Sequence, residues 1–399
     1  LTKKTLPQNN MATPPSRQFI RTFRPISSSK ELVQRCTKRL RESNDGGDAS
    51  LDKQRVTSFK GSTVTTETIH AKFENTKSTF PRAWVRPSRS ANDVHDPSFQ
   101  TGNRGDAVWF LPSDKCIANS PRILYLHGGA YCWYSPTTLS VANVTTKIAL
   151  QSGMPVLSID YRMAPEFDVK AATDDAIEAL SWISDDNNAP RCRCSNCHTL
   201  SLTQDTTNTH TSIFLCGDSA GGSLALLTFL QSDEPHRKLV SGMCVFSPYN
   251  DLSASLQSTR SRAWNEEKQT GDPVFSSGNS EEAIQKDHIV ALAQGKSVVP
   301  SGWALQDPRC SPVFSNDLGA LPRTRIHVGD AEVMLDESVV LAENAIQQQA
   351  NNISLVIWEK MWHTWMYYSE SCCYKPGETD DVLSEANDVL IDTCEHFVK

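Results

Sequence analysis

From residue 122 onward the chain alternates short, predominantly apolar runs with segments of helical period, and few folds accommodate that alternation. The runs are 123–126 (ILYL), 155–159 (PVLSI), 213–216 (IFLC), 240–246 (VSGMCVF), 325–328 (RIHV) and 354–358 (SLVIW). Helical patterns occupy 171–183, 223–230, 338–349 and 385–397. Strands without polar–apolar alternation must be covered on both faces, and a helix after each strand supplies the cover. The expected class is α/β, a mostly parallel central sheet with helices on both faces. Hydrophobic residues make up 38% of the 399, enough for a sizeable core. No stretch reaches the roughly 18–20 uninterrupted apolar residues of a membrane span, so no integral membrane segment is expected. The net charge of −7 counts against nucleic acid or an anionic membrane as the main partner.

The flanks read differently. Residues 1–27 are expected to be a flexible tail. They are basic (Lys3, Lys4, Arg17, Arg21, Arg24), and no acid precedes Glu31, as in an organelle transit peptide, but Pro14, Pro15 and Pro25 interrupt any amphipathic helix there. The first 25 residues hold no apolar segment of secretory type, so a cytoplasmic location is the expectation. Twelve cysteines fall far below the roughly 8–10% of a disulfide scaffold. Cys132, Cys216 and Cys244 sit in expected core segments, as buried free thiols do. After the tail, Ser28 and Glu31 have capping-box spacing, and Leu32, Val33, Cys36 and Leu40 share one helical face. Residues 43–50 are a loop, followed by short β-like runs at 64–73, 83–85 and 107–111 and a polar insertion at 87–104. Two stretches interrupt the later rhythm. Residues 184–211 are polar and rich in Cys and Thr, and read as a surface insertion. Residues 252–306 form a long excursion between two strands of the sheet, with a helix-compatible run at 281–294.

Gly217-Asp218-Ser219-Ala220-Gly221 is a G-x-S-x-G sequence placed between an apolar strand and an apolar helix. A sharp strand-to-helix turn there exposes the Ser219 hydroxyl at a helix N-terminus, as a nucleophile requires. His127-Gly128-Gly129-Ala130-Tyr131 also follows a strand. Paired glycines at a strand end leave backbone N–H groups to face a cavity, so Gly128, Gly129 and Ala220 are the expected donors to an oxyanion.

The order of His127–Tyr131, then Asp160-Tyr161-Arg162-Met163-Ala164-Pro165-Glu166, then Gly217–Gly222 resembles the hormone-sensitive-lipase-like branch of the α/β-hydrolases. Phe246-Ser247-Pro248, Asp307-Pro308, Ser311-Pro312 and Val328-Gly329-Asp330-Ala331-Glu332 extend the likeness over roughly residues 105–370. The sequence departs from it in having Ala130 where many members have a third glycine, and in the insertions at 87–104 and 184–211. The resemblance implies an α/β-hydrolase fold, a carboxylester hydrolase that needs no cofactor, and a helical cap built from 28–62 and 252–306 over a catalytic domain of 63–251 and 307–399. It also allows a homodimer, since members often dimerise.

The family order is nucleophile, acid, base. Of ten histidines, His363 follows the last strand in a loop flanked by Trp362 and Trp365, where the family's base lies. His127 corresponds to the residue that orients the oxyanion loop, and His327 lies inside a strand. Asp330, Glu332 and Asp336 all qualify by position as the acid. Laying the family's acid-bearing run on 332–336 gives Glu332 that place, and Asp336 reads as a helix N-terminal residue. Asp160, Arg162 and Glu166 read as a charge network. Tyr131, Tyr161 and Asp218 are the expected substrate-binding residues, with Trp133 a further candidate for the pocket and Asp218 also readable as a brace of the local loops. Cys194–His198 fits C-x-x-C-H, and Cys192, Cys194, Cys197 and His198 have the donors of a zinc site, yet they fall in a hydrophilic insertion far from these motifs. Incidental thiols are the preferred account, and no metal is expected. The partner is a small-molecule ester. Amides, lactones and carbamates share the chemistry, and a non-catalytic receptor of the same fold is the alternative from another class.

Overall fold

The computed structural model describes residues 20–35, 64–69, 107–112, 117, 119–136, 138–190, 211–265, 267–268, 270–276, 298–369 and 384–398. Among these, nine strands form one sheet: β1 (Ile20–Arg24), β2 (Val64–Ile69), β3 (Ala107–Pro112), β4 (Arg122–Leu126), β5 (Val156–Ile159), β6 (Ile213–Asp218), β7 (Val240–Phe246), β10 (Thr324–Gly329) and β11 (Ile353–Trp358). Their order is β1-β11-β10-β7-β6-β4-β5-β3-β2. All pairings are parallel except β2–β3 and β3–β5. Two short strands in the excursion, β8 (Ala263–Trp264) and β9 (Asp272–Ser276), pair separately.

Period-two burial divides each central strand between two cores. In β4, Leu124 and Leu126 face one layer while Ile123 and Tyr125 face the other; in β6 the same holds for Ile213 and Leu215 against Phe214 and Cys216. The first layer is closed by α2 (Val169–Ser184), α3 (Ala220–Gln231) and α4 (Leu335–Gln347), the second by α1 (Leu139–Ser152) and α5 (Ser384–Val398). This is the covered, mostly parallel sheet that the apolar runs predict. Cys132, Cys216 and Cys244 are buried free thiols.

The strand–helix reading overlooks α1. Its sequence carries Val141, Val144, Thr145, Thr146 and Ile148, β-branched residues of modest helix propensity, and Thr138 makes no side-chain cap. Residues 141–146 are buried throughout, so the helix has little polar face to reveal its period. Tertiary burial, not amphipathicity, holds it.

The tail reading of 1–27 is corrected at its end. Ile20–Arg24 pairs in parallel with β11, and Glu359 N donates to Arg24 O at 2.9 Å. IRTFR lacks an apolar run because it is an edge strand: Arg21 and Arg24 suit a solvated edge, and the pairing uses backbone alone. The capping residue shifts as well. Ser29 Oγ accepts Leu32 N at 3.1 Å, while Ser28 binds Glu385 at the start of α5. In the 184–211 stretch, Asp186–Asn188 forms a 3₁₀ turn tied by Arg122 to the end of α2. The readings at 36–62, 83–85, 87–104, 191–210 and 281–294 lie outside the described residues, and with them most of the first cap segment, the middle of the second and the Cys192–His198 cluster.

Candidate active site

The turn after β6 fixes Ser219, the expected nucleophile. Ser219 has φ 51° and ψ −122°, a left-handed conformation that costs on the order of 1–3 kcal/mol for a residue with a Cβ. Neighbouring bonds hold it there: Ser219 N donates to Phe246 O (2.8 Å), Tyr249 N to Ser219 O (3.0 Å) and Ser223 N to Ser219 O (3.1 Å). Gly221 lets the turn close, since a Cβ on it would fall on the carbonyl oxygen of Leu126. The hydroxyl therefore sits at the N-terminus of α3, on a central strand.

Ser219, His363 and Glu332 are brought together. Ser219 Oγ lies 2.8 Å from His363 Nε2, and His363 Nδ1 lies 3.2 Å from Glu332 Oε2. Glu332 is fully buried; its Oε1 accepts Gly329 N at 2.7 Å, and Ser247 donates its hydroxyl to the same carboxyl. Burial pushes the Glu332 carboxyl up to about 8 against those bonds, and pushes the His363 imidazole below its ordinary value. Burial thus keeps the imidazole in the basic form that can take a proton, while the Gly329 and Ser247 bonds favour the Glu332 carboxylate that accepts from Nδ1.

Asp330, the alternative acid, stands elsewhere. It accepts Lys360 N at 2.6 Å, its own N–H bonds Trp358 O at 2.9 Å, and Ala331 N bonds Met361 O at 3.1 Å. These bonds shape the loop that carries His363. Trp362 and Trp365 anchor that loop by burial at 1% and 0% exposure. Asp336 sits in the first turn of α4, bonded to Ser258.

The expected oxyanion donors are corrected at one position. Gly128 N donates to Asp218 Oδ1 at 3.1 Å, so this N–H is committed to a carboxylate. Gly129, Ala130 and Ala220 N–H make no bond within the described residues, and Ala220 opens α3. The buried carboxylate of Asp218 captures the first amide of the loop and leaves the next two unbonded.

Tyr131, Tyr161 and Asp218, expected to bind substrate, are 1%, 0% and 0% exposed. Each instead builds the site's wall. Tyr161 stacks on His127 (4.5 Å between centroids, 19° between planes) and donates its hydroxyl to His127 O at 2.7 Å. Tyr131 holds φ 59° in the oxyanion loop, and its carbonyl accepts Ala164 N at 2.8 Å. Asp218 accepts Tyr125 OH (2.7 Å) and Tyr367 OH (2.6 Å) besides Gly128 N. His327 is structural, as read: it is buried and accepts Trp358 Nε1 at 3.2 Å. Arg162, from the charge network, pairs with Asp175 of α2 at 2.7 Å, an acid outside the expected trio.

Sequence reasoning missed three contributors: Ser247, Asp272 and Phe275. Ser247 lies in a motif already noted, and its φ of 45° at the end of β7 is what turns its hydroxyl to Glu332. Asp272 and Phe275 come from β9, where no local pattern marks them. The Phe275 ring meets His363 edge-on at 5.2 Å. Among the described residues no group of His, Cys, Asp and Glu is arranged to hold a metal, and no helix is long and apolar enough to cross a membrane.

Comparison with known proteins agrees with this fold. A family described by its alpha/beta hydrolase fold matches residues 123–367. An esterase of Acinetobacter venetianus is 26% identical over 291 residues, covering 72% of this chain and 77% of that one. An acetyl-hydrolase of Streptomyces hygroscopicus is 25% identical, covering 71% and 83%. A crystal structure of a hormone-sensitive lipase from a metagenome library superposes with a TM-score of 0.53 at 26% identity, covering 73% of this chain and 81% of that one.

Proposed function

This chain belongs to the α/β-hydrolase fold family, in its hormone-sensitive-lipase-like carboxylesterase branch, and from that premise we propose that it hydrolyses short- to medium-chain acyl esters through an acyl-enzyme on Ser219. One observation carries the reading: a single imidazole spans Ser219 Oγ at 2.8 Å and Glu332 at 3.2 Å. Ser219 attacks the ester carbonyl as its proton passes to His363 Nε2. Glu332 keeps the proton on Nδ1 and steadies the imidazolium. The oxyanion takes N–H bonds from Gly129, Ala130 and Ala220, and each such donor is typically worth about 3 kcal/mol in the transition state. Collapse breaks the C–O bond, and His363 returns the proton to the leaving alcohol. Water then attacks the acyl-enzyme by the same steps in reverse. Phe275, edge-on to His363, supports a preference for short and medium acyl chains by closing space beside the base.

The test is a panel of p-nitrophenyl esters of graded acyl length. Wild type should turn over acetate and butyrate best. Ser219→Ala should abolish turnover, and Glu332→Gln should lower kcat by roughly 10²–10⁴ while Asp330→Asn stays active. A wild-type protein that binds such molecules tightly but hydrolyses none would favour a receptor. A dead Asp330→Asn beside a near-normal Glu332→Gln would reverse the acid assignment.

A further inference from the structure

The excursion between β7 and β10 contributes a carboxylate that the triad does not account for. Asp272, at the head of β9, is 0% exposed. Its oxygens accept one backbone N–H each, from Val274 and Val333, both at 3.1 Å. Val333 is the neighbour of Glu332, and three residues beyond Asp272 the Phe275 ring rests against His363. One short strand thus joins a carboxyl group to the turn of the acid and a ring to the base. Among the described residues no lysine or arginine forms an ion pair with Asp272. Two amide donors leave a buried carboxylate poorly compensated, and such a group is retained at a cost unless a cation reaches it. The cation at hand is the imidazolium formed during turnover. Burial pushes the Asp272 carboxyl up to about 7, and His363 is the strongest influence drawing it back down. Reciprocally, burial lowers the His363 imidazole and Asp272 is the strongest influence raising it.

We propose that Asp272 is a positioning residue of the catalytic machinery, a second acid that acts with Glu332 to stabilise the His363 imidazolium, and so makes the excursion a working part of the site. This rests on the esterase reading for its role in turnover. The charged groups facing His363 are Asp218 from the end of β6, Glu332 from the loop after β10, and Asp272 from β9. Arg262 acts on Glu332 from the excursion, and Glu332 in turn opposes the ionisation of Glu337 on α4 and of Asp272. No bond is made or broken at Asp272; it changes the charge balance as His363 gains and loses its proton.

The experiment compares wild type with Asp272→Asn, which keeps an amide oxygen for Val333 or Val274. With p-nitrophenyl acetate, the acid limb of kcat/KM should move to lower pH by about one unit, because the imidazolium draws the Asp272 carboxyl into its charged form and an amide cannot supply that charge. Plateau kcat should fall roughly 10-fold with KM little changed, as expected when transition-state support is lost. An acid limb at the wild-type position, whatever the rate, would overturn the proposal, since a merely structural residue would not move it. ¹⁵N imidazole NMR reads the same quantity without turnover: His363 should titrate lower in Asp272→Asn, and an unchanged titration overturns the proposal even if no ester is hydrolysed. Conversely, a shifted His363 titration in a protein without esterase activity would sink the ester reading and keep the Asp272–His363 coupling. If Asp272→Asn does not fold, wild type carries the test alone. The ¹³C carboxyl signal of Asp272 and the ¹⁵N signals of His363 should each show two steps at shared pH values, and independent single-step titrations would refute the coupling.

Discussion

Asp218, at the end of β6, and Asp272, at the head of β9, are both buried beside His363, yet the sheet and the excursion hold them differently. Asp218 accepts two tyrosine hydroxyls and one amide, drawn from β4, the loop after it and the turn beyond the base. Asp272 accepts two amides, and its neighbouring acid opposes its charge. A carboxylate ringed by donors from three elements fixes backbone and changes little in turnover. A carboxylate left thinly compensated next to a group that becomes cationic is placed for the moment of charge. The sheet supplies rigidity to the site, and the excursion supplies part of its electrostatics.

The largest effect should come from disturbing the rigid region. In Gly221→Ala, the new Cβ would meet the carbonyl oxygens of Leu126 and His127, both backbone atoms with no room to yield. We expect a loss of at least about 3 kcal/mol of stability and no measurable esterase activity, read by chemical denaturation and turnover. Gly271→Ala makes the matching insult in the excursion, where a Cβ would meet Ala263 O at the β8–β9 pairing. There the expected result is a large drop in kcat with the global unfolding transition nearly intact. Equal loss of stability in both variants would erase the distinction between the two regions.

The same contrast explains what was legible in the sequence. The apolar runs marked the central strands because each had to be buried on two faces, and Ser219 was marked by glycines that a tight turn requires. His363 was found by its place after the last strand. Asp272 and Phe275 were not, because β9 pairs with only two residues of β8 and its meaning lies in a contact with Val333 some sixty residues away. Gly128 was misread as a donor for a related reason: its amide's fate depends on the side chain of Asp218, ninety residues on, rather than on the glycine pattern. β1 escaped notice because an edge strand advertises neither burial nor period.

A middle-sized effect should separate the two aspartates directly. Asp218→Asn places an amide NH₂ among the hydroxyls of Tyr125 and Tyr367 and the N–H of Gly128, all three of which now donate to it. The expected cost is about 1–3 kcal/mol of stability, with kcat lowered through displacement of the oxyanion loop. Asp272→Asn, by contrast, should cost little stability at neutral pH while moving the acid limb of kcat/KM. Thermal unfolding at pH 7 on both variants checks the ordering. It fails if Asp272→Asn is the less stable of the two.

The smallest effect is the pH dependence of that stability, and its sign follows from linkage. Burial raises the Asp272 carboxyl from 3.8 to about 7. Between those values the native protein holds a proton that the unfolded chain has released, so stability falls as pH rises from about 4 towards 7, and the penalty then stays constant. Glu332, raised from 4.5 to about 8, acts in the same direction over a slightly higher window. His363, lowered by burial, works at the other end: below its ordinary 6.5 the unfolded chain takes up a proton that the native site resists, and stability falls as the solution turns acid. Asp272→Asn removes the first of these contributions and deepens the third, since His363 loses a neighbouring negative charge, and both changes act in the same direction. Its melting temperature relative to wild type should therefore climb from pH 4 to pH 7 and level off above. The climb should amount to a few degrees, at roughly 2 °C per kcal/mol for a protein of this size. The equivalent Asp218→Asn difference carries the added loss of three donors at every pH, and should stay negative throughout. A melting difference for Asp272→Asn that is flat from pH 4 to pH 9 would mean the excursion holds its carboxylate as comfortably as the sheet does.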